Sequence, residues 1–178
     1  AASDVYKRQV LWVVYGSGEI GASVTAELRP GAGMLPRFGL ELAMPPGNEQ
    51  LRYCGLGPGP AYCDMRHFCK KGIYDASVTE EFTPYIFPQE TGNHYGTEWA
   101  AVFDAEGRGL LFKGIQEFEF SALHYTAEDL DAAQLAKDLR PRKETIVRID
   151  YKQSGIGSNS CGPELSKRFE SPCLLYTS

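Results

Sequence analysis

Apolar and polar residues alternate along several stretches of the chain, the period of a strand that buries one face. Ala22, Val24, Ala26 and Leu28 interleave with Ser23, Thr25 and Glu27, and Phe38, Leu40, Leu42 and Met44 share a face in the next run. Residues 97–103 and 110–112 flank the glycine-containing segment 104–109, a pattern that predicts a hairpin. Phe118, Phe120 and Ala122 alternate again, as do Val147, Ile149 and Tyr151. The connections, such as Arg29-Pro-Gly-Ala-Gly33 and Pro45-Pro-Gly-Asn48, are rich in turn formers. One segment departs from this period. Thr126 and Asp129 form an acidic capping box, Leu130, Ala133, Ala136 and Leu139 recur at near-helical spacing, and Pro141 stops the run. The spacing predicts one short helix near 127–138. Many short strands with a single helix predict one mostly-β domain, an antiparallel β-sandwich.

Composition narrows the partners. The 178 residues carry 18 basic and 23 acidic side chains, a net charge of −5 that offers no footprint for nucleic acid or an anionic membrane. The longest apolar run, Val10-Leu-Trp-Val-Val-Tyr15, is far short of the ~20 residues of a membrane span. With 19 glycines and 11 prolines the chain turns often, which disfavours a helix bundle.

Candidate chemistry is sparse. Cys54, Cys63, Cys69 and His67 lie close in sequence, but no C-x2-C pair is present to build a zinc knuckle. Free thiols are expected instead, and they are compatible with a reducing compartment. Gly55-Leu-Gly57-Pro58-Gly59 resembles a phosphate loop only superficially. Pro58 and Pro60 remove two N–H donors and no helix follows, so a tight inter-strand turn is expected. Glu80, Glu81, Glu90 and Glu98 would suit a glycosidase only if two of them faced each other across a bond, and solvated strand edges explain them equally well. There is no Gly-x-Ser-x-Gly elbow, and His67, His94 and His124 have no triad-like setting in the sequence.

The two ends are related to each other at the level of codons. Asp4–Gln9 back-translates as GATGTGTATAAGAGACAG, and its reverse complement, read one base in, encodes the Cys-Leu-Leu-Tyr-Thr-Ser that stands at 173–178. Such an inverted element resembles the transposon adaptor of shotgun sequencing libraries. Residues 1–9 and 172–178 are therefore expected to be adaptor-derived, and 10–171 to be the native segment of a longer protein.

Five ordered motifs carry a family resemblance. They are Leu35-Pro-Arg-Phe-Gly-Leu40, Gly55-Leu-Gly-Pro58, Pro84-Tyr-Ile-Phe-Pro-Gln-Glu-Thr-Gly-Asn93, Phe120-Ser-Ala-Leu-His-Tyr-Thr-Ala-Glu-Asp-Leu130 and Ile149-Asp-Tyr-Lys-Gln-Ser-Gly-Ile-Gly157. In this order they resemble the C-terminal small-chain domain of glycoside hydrolase family 2 β-galactosidases, a galactose-mutarotase-like sandwich. The resemblance implies a C-terminal fragment of a cytoplasmic, homo-oligomeric enzyme that hydrolyses terminal β-D-galactosides of the lactose type with retention. Its catalytic glutamates, and its Mg²⁺ and Na⁺, would sit on an upstream barrel, with no cofactor and no catalytic residue in this chain. The fragment would then lack strands of the sandwich and be prone to aggregate.

The same resemblance implies that the stretch Gly155-Ile-Gly-Ser-Asn-Ser-Cys-Gly-Pro163 is a loop reaching toward the barrel mouth. Cys161 falls where the family places an apolar residue, Trp or Cys, against the galactoside substrate, with Asn159 and Ser160 as lesser contacts. A thiol offers a smaller contact to sugar C–H surface than an indole does. Departures from the family pattern are Pro60 in place of a Glu, Met65 in place of an Arg, and His94 and Glu98 where an Arg is usual. They put a structural ion-pair network in doubt, not the catalytic assignment. Two other readings stand beside this one: a stand-alone galactose-binding or mutarotase-like sandwich, and a scaffold in which Cys161 is functionally silent.

Overall fold

The computed structural model describes residues 5–29, 34–157 and 165–170. Among these residues it is mostly β, with two antiparallel sheets, no closed barrel and little helix, as the alternation predicts for a sandwich. β1 (Val5–Val14) and β2 (Ile20–Leu28) form a two-stranded hairpin. The remaining strands are β3 (Arg37–Met44), β4 (Gln50–Gly57), β5 (Lys70–Ser77), β6 (His94–Phe103), β7 (Gly109–Leu123) and β8 (Thr145–Gln153). They make a six-stranded sheet in the order β3-β8-β7-β6-β4-β5.

Register divides this sheet into two unlike faces. Leu51 opposes Val102, Tyr53 opposes Ala100 and Phe120 opposes Ile149, so these side chains lie on one side. With Met44, Val78, Phe118, Ala122 and Val147 they make the apolar core, and Tyr53, Phe120 and Val147 are fully buried. Each large apolar side chain so buried contributes about 1.5–3 kcal/mol. The other face of β7 and β8 is polar yet also covered: Glu119, Ser121, Arg148 and Asp150 are buried. The connections 58–69 and 78–93 lie over it, tied together where Ala61 N–H donates to Asn93 O at 2.7 Å and Asn93 Nδ2 donates to Ala61 O at 2.8 Å.

Two sequence expectations are modified. The helix near 127–138 is split into α1 (Ala127–Ala132) and a separate 3-10 turn, Ala136–Asp138. Thr126 caps α1 with the full box, but Leu130 is its only buried side chain, and alanines at 133 and 136 offer too little apolar surface to hold a longer helix. The Ala136 N–H donates to Ile86 O instead of continuing the helix. Next, the Gly55–Gly59 stretch is not a tight inter-strand turn. β4 runs to Gly57, the chain leaves through 58–69, and β5 returns with Lys70 opposite Gly57. Pro58 and Pro60 lack the N–H groups that would close a hairpin there. Residues 5–9, expected to be adaptor-derived, continue β1, with Lys7, Arg8 and Gln9 opposite Glu27, Ala26 and Thr25. Main-chain ladder bonds accept any residue but proline, so the strand extends whatever the origin of that segment.

The hairpin leaves Leu11, Trp12, Val14, Tyr15 and Ile20 more than half exposed. Apolar surface on both sides of an open-edged ribbon drives association. The 178-residue chain is expected to self-associate in size-exclusion chromatography, and Leu11→Lys with Val14→Lys to shift it toward smaller species. A monodisperse monomer of the unaltered chain would contradict this.

Candidate functional site at the exit of β8

β8 delivers the chain to the segment that the sequence singles out. Asn159, Ser160 and Cys161 lie outside the described residues, so the site is described as far as Gly157. Its root is fixed by backbone bonds at four successive residues. Ser154 N–H donates to Pro36 O at 2.8 Å, and Gly155 N–H to Phe169 O at 3.0 Å. Ile156 N–H donates to Asp64 Oδ1 at 3.1 Å, and Gly157 N–H to Asp64 Oδ2 at 2.8 Å. The Ser154 hydroxyl adds a bond to Leu35 O at 2.9 Å. Two glycines are required here for different reasons. Gly157 has φ +63°, a left-handed conformation costly for a side chain. A Cβ on Gly155 would fall 2.5–2.7 Å from the Asp64 carboxyl group.

Beneath this root lies a buried polar cluster. Arg37, the first residue of β3, opposes Gln153, the last of β8. Its guanidinium donates to Gln153 Oε1 at 2.7 Å, lies 3.0 Å from Asp150 Oδ2, and pairs with Glu90 at 3.5 Å. Glu119 stands directly opposite Asp150 across the β7–β8 ladder. Its two oxygens accept from Gln153 N–H at 2.9 Å and Asn93 Nδ2 at 2.7 Å. Burial pushes Glu119 up to about 7 despite those bonds, and pushes Asp150 up to about 6 against the pull of Arg37. Cys63 Sγ sits 3.6 Å from Phe169 O and 3.9 Å from Gln153 O, and burial raises its thiol to about 11. At that value it stays protonated and a poor nucleophile at neutral pH.

The other candidates are dispersed. Glu81 is not on a solvated edge: it is buried and meets His94 Nε2 at 2.8 Å, while the His94 ring stacks on Tyr53 at 3.9 Å. Glu90 pairs with Arg37, Glu80 accepts from the Ser77 hydroxyl at 2.9 Å, and Glu98 pairs with Lys71 at 2.6 Å. His124 Nε2 lies 2.7 Å from Glu49, and His67 is exposed. His94 and Glu98, where the resemblance leads one to expect Arg, thus each have an oppositely charged or hydrogen-bonding partner of their own. Cys54 is nearest Glu98, and Cys69 nearest Gly59 O and Pro60 O, so these thiols and Cys63 face separate partners. Among the described residues no group of three or more His, Cys, Asp or Glu is arranged to hold a metal ion. No helix among them is long and apolar enough to cross a membrane.

Asp64, Arg37, Glu119 and Asp150 are the residues that sequence reasoning passed over at this site. Arg37 and Asp150 fall inside two of the family motifs, but no spacing assigns any of the four a role, because each acts on a strand or loop distant in sequence.

Known proteins place the chain. It matches the family model described as Beta galactosidase small chain over residues 1–177. It is 40% identical over 165 residues to a β-galactosidase of Lactobacillus delbrueckii subsp. bulgaricus, covering 90% of this chain and 16% of that protein. To β-galactosidases of Staphylococcus xylosus and Actinobacillus pleuropneumoniae it is 36% and 33% identical, over 90% and 88% of this chain. The chain spans about 15% of the length of these relatives. With a family match that runs over nearly the whole chain, the strands and the exit from β8 included, the chain belongs to the β-galactosidase small-chain family.

Proposed function

We propose that the chain is the C-terminal part of a retaining β-galactosidase that hydrolyses terminal non-reducing β-D-galactosides of the lactose type. The observation that carries this reading is coverage: about nine-tenths of the chain aligns with proteins named β-galactosidase, of which it makes up about one-sixth. The native segment on this reading is 10–171, flanked by adaptor-derived ends. A retaining mechanism needs two carboxylates roughly 5–5.5 Å apart across the sugar, one as nucleophile and one as acid/base. The four glutamates first considered are each engaged elsewhere, which favours an upstream barrel as the source of that pair. Mg²⁺ and Na⁺ belong to that barrel, and no role in holding them is assigned to this chain. The enzyme is a cytoplasmic homo-oligomer.

The small domain's part is to support the barrel and to send the segment after Gly157 toward the substrate, where Cys161, with Asn159 and Ser160, touches the galactoside. Support comes from the root: four successive backbone bonds, one glycine in a left-handed conformation and one with no room for a Cβ are more than a passive connection needs.

Sequencing the source DNA outward through the codons for Val10 and Ser171 tests the reading. A frame running upstream into a barrel with two active-site glutamates is expected, together with no turnover of a nitrophenyl galactoside by the isolated chain. A start codon just before Val10, or turnover by the pure chain, would overturn it and leave a stand-alone sugar-binding sandwich.

A further inference from the structure

One carboxylate organises the exit from β8. Asp64 lies in the connection 58–69, where Tyr62 and Met65 exchange backbone bonds at 2.9 and 3.0 Å and hold it in a tight turn. Its side chain reaches a segment more than ninety residues away and accepts from two consecutive amides, one per oxygen. Charge-assisted bonds of this kind are roughly twice as strong as neutral ones. The glycine before those amides is the one whose Cβ would strike the same carboxyl group. The residue on each side of Asp64 is also held: Cys63 against Phe169 O and Gln153 O, Met65 by the bridge to Tyr62. Position, acceptor and the space to receive it are thus specified together.

We infer that Asp64 is the positioning residue that sets the direction in which the chain leaves β8 for the substrate, an inference that rests on the reading that the segment after Gly157 meets the galactoside. Both carboxylate oxygens are needed. In Asp64→Asn one acceptor becomes an N–H₂ that faces a backbone N–H, so one of the two amides loses its partner while side-chain volume is kept. Gly155→Ala should do the same damage from the other side, by pushing the carboxyl group away.

The test uses the full-length enzyme that carries this segment, with a nitrophenyl β-galactoside as probe. Asp64→Asn is expected to raise KM about tenfold with kcat within about twofold, the split that marks lost substrate positioning and not a smaller folded fraction. Gly155→Ala should raise KM comparably when Asp64 is present, and add no more than about twofold in an Asp64→Ser background, where the space is empty. Hydrogen exchange of the Ile156 and Gly157 amides should quicken in Asp64→Asn. Unchanged exchange there, or additive effects of the two substitutions, would overturn the role of Asp64. Faster exchange with unchanged KM would overturn the link to substrate. If Cys161→Ala also left KM unchanged, the fault would lie in the substrate-loop reading and not in the anchor.

Discussion

Arg37→Met is expected to cost about 3–5 kcal/mol of stability, because it leaves charge buried without its partner. Arg37 joins three elements through Gln153 on β8, Asp150 on β8 and Glu90 in the 78–93 connection. Methionine keeps much of the length and apolar stem but supplies no donor. Asp150, whose carboxyl group is already raised to about 6 by burial, would then protonate more readily, so the loss should be larger at pH 8 than at pH 5. In the Leu11→Lys, Val14→Lys background, urea midpoints read this directly, with slopes of about 1–3 kcal/mol per molar. Arg37→Lys should recover part of the loss, since it restores the charge without the planar fork. A midpoint that moves by less than about 0.5 M in Arg37→Met would show that packing, not the ion cluster, holds this edge.

Glu119→Gln is expected to act in the opposite direction and to change the dependence on pH. Folding lifts Glu119 from its ordinary 4.5 to about 7, so the native state holds a proton that the unfolded chain has already released. The stability this contributes is complete below about 4.5 and is lost as pH rises through about 7. The difference is worth ~3 kcal/mol across that window. Asp150 shifts the same way, from 3.8 to about 6. The two carboxyl groups stand opposite each other, so a proton on one lessens the need for a proton on the other, and their effects do not add. Glutamine carries no charge to bury but loses one acceptor, for Asn93 Nδ2 or for Gln153 N–H, at a cost of about 1 kcal/mol. A net gain of ~1–2 kcal/mol at pH 8 and a flatter profile between pH 5 and 7 should follow. Urea midpoints of parent and variant at pH 5, 6, 7 and 8 measure both. A parent whose stability rises steadily over that range would mean Glu119 is ionised throughout.

The strands that bury one face were legible in the sequence, because period-two alternation is a local signal. Ala22–Leu28 and Phe38–Met44 fall within β2 and β3 as the pattern predicts. β5 was not legible: it is an edge strand whose Ile73 is exposed, and its Lys-Lys-Gly opening shows no alternation. In β4 the buried series is Leu51, Tyr53, Gly55 and Gly57, where two glycines erase the apolar signal. Phe112 and Phe118 read as two alternations, yet they share β7, whose pairing with β6 shifts register between them. The polar cluster was hidden for a different reason. Asp150, Glu119 and Arg37 look like solvent-facing residues, and the loops folded over β7 and β8 bury the two carboxylates and half-bury Arg37. The exit from β8 was marked in the sequence only by its family resemblance, and Asp64, which holds its amides, comes from a segment that no spacing connects to it.

The place of β8 between β3 and β7 has a consequence for synthesis. Among the described residues β3 has no ladder partner except β8, so its amides wait for a strand made more than a hundred residues later. While the ribosome is still translating the region between them, β4, β6 and β7 can associate, but β3 remains an unpaired apolar ribbon with Arg37 in water. Closure therefore waits until β8 has left the ribosome, the slow route for long-range pairing. Nascent chains stalled before Gln153 should be the species most readily captured by holdase chaperones.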